Sequence, residues 1–301
     1  MPETPATETP APEPSTPVLS PGTLTLAATP IGNPMDASLR LVAALREADL
    51  IAAEDTRKLK RLATDLGIRL RAQTWAYHEH NEAQRTADLL AAAREGQRVL
   101  VVSDAGMPVI SDPGYRAIAA AHEAGIEVAV LPGPSAPVTA LVHSALPPDR
   151  FAFEGFLPRT SGKRRALLES LAREARTLMF FESPRRTLDT LRDMRDVFGA
   201  DRAACVAREL TKTHEQVLRG TLAELLQWAE GDEVRGEIVL LVGPFVGSAE
   251  PADLVVEVRA RVEAGERMKD AAKAVAAQHR GVSARDLYDL ALAGASPSLR
   301  A

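Results

Sequence analysis

Short apolar runs alternating with amphipathic stretches set the rhythm of the chain from Gly22 onward. Leu24–Ala27, Leu50–Ala53 and Val99–Val102 are four-residue runs of almost wholly apolar character, and Glu127–Leu131 makes a fourth segment of the same kind. Runs this short and this continuous read as strands buried on both faces of a parallel sheet. Between them, Leu39–Ala48 carries a helical stripe of Leu39, Val42, Ala43 and Leu45 behind Asp36 and Ser38 as candidate caps. Arg85–Glu95 and Tyr115–Ala124, the latter ended by Gly125, are helical as well. The alternation predicts a mostly parallel α/β sheet covered on both faces.

A helix after Pro137 runs to about Ala145 and is broken by Leu146-Pro147-Pro148. A second α/β set follows, with strands at Phe151–Phe153, Thr177–Phe181, Ala203–Arg208 and Glu237–Val242 and helices at Lys163–Arg173, Arg185–Phe198 and Leu222–Glu230. No long linker divides the sets, so two abutting α/β domains, 22–134 and 135–246, are expected with a cleft between them. Gly247 to Pro251 reads as a hinge. Beyond it, residues 252–295 hold three helical segments, Leu254–Ala264, Met268–Gln278 and Ala284–Ala293, with Ser283 and Asp286 in a capping-box pattern. The turn His279-Arg280-Gly281-Val282 gives this region either a helix-turn-helix or a plain helical bundle. Residues 1–21 are mostly Pro, Thr, Glu and Ala, with too little apolar surface to offset the entropy of ordering, and read as a disordered tail.

Three strand ends share one chemistry. Val99–Val102 runs into Ser103, Asp104, Ala105, Gly106, Pro108, Ser111, Asp112, Pro113 and Gly114; Leu24–Ala27 into Ala28-Thr29-Pro30-Ile31-Gly32-Asn33; and the strand ending at Leu131 into Pro132-Gly133-Pro134-Ser135. Glycine allows close backbone approach and proline lowers the ordering cost on binding. In an open α/β sheet the carboxyl ends of the strands are where ligands sit. The three loops together therefore predict a single small-molecule site. Taken singly, each is also an ordinary strand-to-helix connection.

ATPIGN, AAEDTRK, HEHNE, VSDAGMPVISDPGYR, LPGPSA, FEGFLPR, FFESPRR, ARELTKTHE and GEIVLLV occur here in the order and spacing of the ribosomal RNA small-subunit methyltransferase I family, which the chain resembles from about Gly22 to Gly243 and more weakly to about residue 293. That family belongs to the tetrapyrrole methylase superfamily. The resemblance implies the bilobal tetrapyrrole methylase fold, S-adenosylmethionine as methyl donor bound by the three loops, the 2′-hydroxyl of a decoding-centre cytidine in 16S ribosomal RNA as acceptor, and a homodimer. Ala28, Met107 and the long N-terminal tail depart mildly from the pattern.

Composition narrows the class without naming the partner. The 301 residues are 46% apolar and 26% charged, which is ordinary for a globular protein. There is no apolar run of membrane-spanning length, no secretory signal, and one cysteine, Cys205, so a cytoplasmic protein without disulfide or cysteine-rich metal site is expected. Histidines 78, 80, 122, 143, 214 and 279 lack metal-ligand spacing, and no GxGxxG or Walker A loop occurs. A net charge of −5 excludes a generally basic coat but leaves room for a local basic patch.

A ribose hydroxyl is a weak nucleophile, so methyl transfer to it benefits from alignment, a base, or stabilisation of the developing alkoxide. Asp55 and Arg57, at the end of the second strand, fit proton acceptance or ribose orientation and phosphate binding; a surface ion pair capping the following helix fits them equally. His78-Glu79-His80-Asn81-Glu82 suits contact with a base edge or proton removal, with a solvated helix start as the plainer reading for Glu79 and Glu82. Lys212, in ELTKT, faces the cleft from the second domain and suits an alkoxide or a phosphate, a role the resemblance strengthens. Arg159, Lys163, Arg164 and Arg165, joined by Arg185 and Arg186, form a basic run suited to RNA backbone. Arginines at a helix start oppose the helix dipole, which makes a purely structural role less natural. The expected function is S-adenosylmethionine-dependent 2′-O-methylation of 16S ribosomal RNA in the small subunit. A tetrapyrrole or other small-molecule methylase of the same fold, or a non-catalytic RNA-binding assembly factor, are the alternatives.

Overall fold

The computed structural model describes residues 17–231, 233–246, 251–279 and 282–293. Two compact units emerge: one ends at Thr139 and includes Leu210–His214, and the other holds Ala140–Glu209 and Glu215 onward.

The first unit is built on strands β1 (Leu24–Ala27), β2 (Leu50–Ala53), β3 (Gln73–Ala76), β4 (Val99–Val102) and β5 (Val128–Leu131). All pair in parallel, in the order β3-β2-β4-β1-β5. Helices α1 (Leu39–Glu47), α2 (Thr56–Asp65), α3 (Glu82–Arg94), α4 (Tyr115–Glu123) and α5 (Ala136–Ser144) follow the strands, and α5 spans the division between the units. The sheet sends alternate side chains into two apolar clusters. Ile51, Ala53, Leu100 and Val102 pack with Leu41, Leu45 and Leu59 of α1 and α2, whereas Leu50, Ala52, Val99 and Val101 pack with Leu89 and Ala93 of α3 and Ala117 and Ala121 of α4. That two-sided burial is why the strands are unbroken apolar runs. Ser38 caps α1, its hydroxyl accepting from the Leu41 amide at 3.0 Å.

Two expectations change here. The pattern predicts a disordered tail over residues 1–21, but Leu19 is 1% exposed within the α1/α2 cluster. The amides of Val18 and Leu19 both donate to the Glu47 carboxylate, at 2.8 and 3.0 Å. One apolar side chain with two anchored amides holds this segment; residues 1–16 lie outside the described residues. The edge strand β3 is absent from the reading of the pattern because its residues are half-exposed and mixed, as edge strands are.

The second unit carries a mixed sheet of β6 (Phe151–Phe156), β7 (Thr177–Glu182), β8 (Ala203–Arg208), β9 (Gln216–Thr221) and β10 (Ile238–Val242), in the order β6-β7-β10-β8-β9. Only β6 and β7 are parallel; the other pairings are antiparallel. The polar edge strand β9 is a second element that the hydrophobic pattern does not announce. Helices α6 (Ser161–Ser170), α7 (Pro184–Phe198) and α8 (Leu222–Gly231) cover one face through Leu168, Leu191, Met194, Leu222 and Leu226. Helices α9 (Pro251–Glu263), α10 (Met268–Ala276) and α11 (Ala284–Ala293) share their own core of Leu254, Val258, Ala271, Ala272, Val275, Leu287 and Ala291. Ser283 caps α11, accepting from the amides of Arg285 and Asp286 at 3.1 and 3.4 Å. The hinge at 247–250 and the turn residues Arg280 and Gly281 fall outside the described residues.

Candidate functional site

Strands β4, β1 and β5 are neighbours, so the three loops at their carboxyl ends meet at one edge of the first sheet. The contacts are direct. Thr29 and Gly106 exchange both backbone hydrogen bonds, at 2.9 and 3.0 Å. The Thr29 hydroxyl donates to the Ser103 carbonyl at 3.3 Å, and the Ser103 hydroxyl to the Gly106 carbonyl at 3.1 Å. Gly106 has φ +81, and a Cβ there would meet Ile31 Cγ2 at 3.5 Å and the Pro134 carbonyl at 3.6 Å. At Gly133 a Cβ would lie 2.9 Å from the Ala28 Cβ, so any side chain would push the first and third loops apart.

Backbone strain gathers in the same places. Of five non-glycine residues with positive φ among those described, Val109 and Ser111 lie in the loop after β4, and Glu209 and Thr211 lie in or beside ELTKT. Such conformations cost energy and persist where the surroundings enforce them, often at ligand sites. The ELTKT segment is one of those surroundings. The Thr211 hydroxyl accepts from the Asn33 amide at 3.0 Å, and a Cβ on Gly32 would sit 2.5 Å from Lys212 Cγ. Lys212 thus lies against the loop after β1, in the first compact unit, whereas the sequence order assigns it to the second domain. The Asn33 side chain has a local task, accepting from the Met35 amide at 3.0 Å to cap the short 3₁₀ turn Pro34–Asp36.

The end of β2 joins this rim. Thr29, Pro30, Ala53, Asp55, Lys58, Val102, Ser103 and Asp104 line one small depression. Asp104 accepts from the Asp55 amide at 2.9 Å and pairs with Lys58 at 2.8 Å. Lys58 ends the AAEDTRK motif, and the motif alone gives it no role; its place one turn into α2, on the face of Asp55, is the signal that marks it. Asp55 is the N-cap of α2, accepting from the Arg57 amide at 2.8 Å and from the Arg57 guanidinium at 2.6 Å. Those bonds from Arg57 hold the Asp55 carboxyl far below the usual carboxylate range. Capping of α2 and orientation of Arg57 are what these bonds do in the structure. Arg57 keeps its side chain 89% exposed.

Asp112 behaves in the opposite way. Burial, with the nearby charges of Glu54 and Asp104, pushes its carboxyl up to about 7. Burial and Asp104 raise Glu54 as well.

The HEHNE motif is anchored more than solvated. The Asn81 side chain accepts from the His78 amide at 2.8 Å and donates to the Ala76 carbonyl at 2.9 Å. Glu82 accepts from the buried Tyr77 hydroxyl at 3.2 Å and from the Gly114 amide at 2.9 Å, tying the far end of the β4 loop to α3. A solvated helix start therefore describes Glu79, which is exposed, but not Glu82.

The basic run in the second unit divides. Arg164 is 4% exposed, and its guanidinium pairs with Asp193 at 2.6 Å. Asp193 also accepts from the Ser161 hydroxyl at 3.0 Å, and Arg165 pairs with Asp193 and Asp196 at 3.3 and 3.1 Å. Arg186 donates to the Leu157 and Pro158 carbonyls at 2.7 and 3.0 Å. Arg164 is a buried tie between α6 and α7 and is corrected as an RNA contact; Arg165 is largely neutralised, and Arg186 is structural. The acidic partners of Arg164 and Arg165 are 28 or more residues away, so the local charge run could not reveal them. Arg159, Lys163 and Arg185 stay exposed and form no ion pair among the described residues.

Among the described residues, no helix is long and apolar enough to cross a membrane, and no group of three or more His, Cys, Asp or Glu is placed to hold a metal ion.

The chain is similar to known proteins along most of its length. Residues 23–226 match the family model described as Tetrapyrrole (Corrin/Porphyrin) Methylases. A Mycobacterium tuberculosis protein named Ribosomal RNA small subunit methyltransferase I is 52% identical over 274 residues, covering 91% of this chain and 96% of the relative. The Escherichia coli O157:H7 protein of the same name is 46% identical over 277 residues, with the same coverage. Among solved structures, the methyltransferase CobJ superposes with TM-score 0.59 at 23% identity, over 76% of this chain and 97% of that one. The uroporphyrin-III C-methyl transferase of Thermus thermophilus complexed with S-adenyl homocysteine gives TM-score 0.54 at 19% identity, over 73% and 97%. The solved structures establish the tetrapyrrole methylase fold, and the closer sequences establish the branch: the chain belongs to the ribosomal RNA small subunit methyltransferase I family of the tetrapyrrole methylases.

Proposed function

We propose that the protein transfers a methyl group from S-adenosylmethionine to the 2′-hydroxyl of a decoding-centre cytidine in 16S ribosomal RNA. The observation that carries this reading is identity of 42–52% across about nine tenths of the chain to proteins named for methylation of small-subunit ribosomal RNA. The site's construction supports it. Gly106 and Gly133 let the loops after β1, β4 and β5 close on one another, which gathers their main-chain amides into one surface that a flat adenosyl group can meet. Ser103, Asp104, Asp112 and Ser135 supply polar groups around that surface, and the donor supplies an activated methyl on a sulfonium. Pro30, Gly32, Asn33, Ala105, Ser111, Pro132 and Pro134 shape the same three loops.

The chain's own residues then have two tasks. The loops hold the donor in one orientation, which removes most of the entropic cost of an in-line displacement. Lys212, fixed beside Gly32, offers a positive charge to the developing alkoxide, and exposed Arg57 offers one to a neighbouring phosphate. Asp55 orients Arg57. Arg159 and Lys163 provide cationic contacts to the RNA backbone. The same reading places the protein in the cytoplasm as a homodimer.

The test is transfer of labelled methyl to purified small ribosomal subunits and to naked 16S ribosomal RNA, with the labelled nucleotide identified. Label in a 2′-O-methylcytidine is expected. Binding of the donor with no label in either RNA overturns the assignment.

A further inference from the structure

The second unit carries three phenylalanine rings that pack on one another outside its main apolar cluster. On edge strand β6, Phe153 lies opposite Met179 and Phe156 opposite Phe181, so three steps along β6 match two along β7. In a regular strand, residues three apart point to opposite faces. The extra residue, with Gly155 at φ +66, is a bulge that turns Phe156 onto the face of Phe153. Both rings then pack on Phe181, with centroids at 4.8 Å for Phe153 and 5.4 Å for Phe156. This face is opposite the one on which Ala152, Leu178 and Phe180 enter the core. Phe156 remains 57% exposed.

The backbone beyond Phe156 is clamped. Arg186 donates to the carbonyls of Leu157 and Pro158 and pairs at 3.3 Å with Glu182, whose side chain is fully buried. Leu157 is 2% exposed. Phe156 is therefore presented to solvent by a bulge and held there by a buried ion pair. Arg159 and Lys163 follow β6, and Arg185 follows the neighbouring parallel strand β7, all three exposed and without a carboxylate partner among the described residues. An exposed ring backed by two others, beside unpaired cations, matches the chemistry of single-stranded nucleic acid: bases stack on the ring and phosphates meet the cations.

We infer that Phe156, backed by Phe181 and Phe153, is a stacking platform for an unpaired nucleobase of the RNA substrate, with Arg159, Lys163 and Arg185 on its flanking phosphates. This rests on the RNA-methyltransferase reading and adds to it the part of the surface that grips the base. A second copy of the chain would cover the ring as well, but would leave the three cations without partners.

The experiment measures binding of the wild type, Phe156→Leu and Phe156→Tyr to small ribosomal subunits from cells lacking the modification, with S-adenosylhomocysteine affinity measured in parallel. Phe156→Leu is expected to lose about tenfold in subunit affinity, Phe156→Tyr to restore it, and neither to change S-adenosylhomocysteine binding. Equal affinity of Phe156→Leu and wild type overturns the platform, as does conversion of a wild-type dimer to monomer by Phe156→Leu. If the wild type itself methylates no ribosomal RNA, the failure lies with the RNA-methyltransferase reading; if it methylates and Phe156→Leu binds normally, only the platform falls.

Discussion

Gly133 and Asp112 show how single residues govern the site. Gly133 has no room for a side chain because the Ala28 Cβ is 2.9 Å from where its own would be. Gly133→Val must separate the loops after β1 and β5. It should weaken binding of S-adenosylhomocysteine at least tenfold, read by calorimetry, and a variant with unchanged affinity would remove these loops from the donor site. Asp112 predicts a pH dependence of stability. Its folded-state pKa, raised from 3.8 to about 7, means that the folded protein holds a proton which the unfolded chain releases. Stability therefore falls as pH rises from about 4 to about 7, and the contribution is constant on either side. Asp112→Asn should flatten this decline, so that melting temperatures at pH 5 and pH 8 differ less than in the wild type. An unchanged difference would mean that Asp112 titrates normally. Both residues stand out in the sequence as members of Gly/Pro/Asp loops, but the raised pKa of Asp112 comes from burial and then from Glu54, neither of which spacing reports.

At the scale of elements, α6 and α7 are joined by a polar tie. Asp193, 6% exposed, accepts from Arg164, Ser161 and Arg165. Removing one partner of a buried pair leaves an uncompensated charge, so Asp193→Ala should destabilise the protein by about 3–5 kcal/mol in denaturant titrations. A loss below about 1 kcal/mol would mean that water reaches Arg164. The basic run Arg159–Arg165 was legible as positive charge near Phe156, but its division into exposed and buried members was not. Helical periodicity turns Arg164 inward against a partner from another helix, and a one-dimensional charge count has no term for that. Edge strands β3 and β9 escaped the hydrophobic pattern for a related reason. A strand with one free edge and a half-wet face has no need of the unbroken apolar run that marks β1, β2 and β4.

For the whole molecule, the charge balance separates RNA binding from donor binding. The net charge is −5, so attraction to RNA must come from a local patch. Replacing Arg159 and Lys163 together by Glu should lower affinity for small ribosomal subunits and reduce the slope of log affinity against log salt by about 2, at unchanged S-adenosylhomocysteine affinity. An unchanged slope would make these residues a solvated face.

The order of strands and helices, the burial of β1, β2 and β4, the three ligand-type loops and the family follow from residues adjacent in the chain, because period, turn chemistry and contiguous motifs are local properties. Folding alone decides the partners: that Thr211 and Lys212 pack on the loop after β1, that Arg164 is buried on Asp193, and that a bulge brings Phe153 and Phe156 to one face. Each depends on groups brought together from distant positions or on one extra residue in a strand, where burial and pairing set the energy and sequence distance does not.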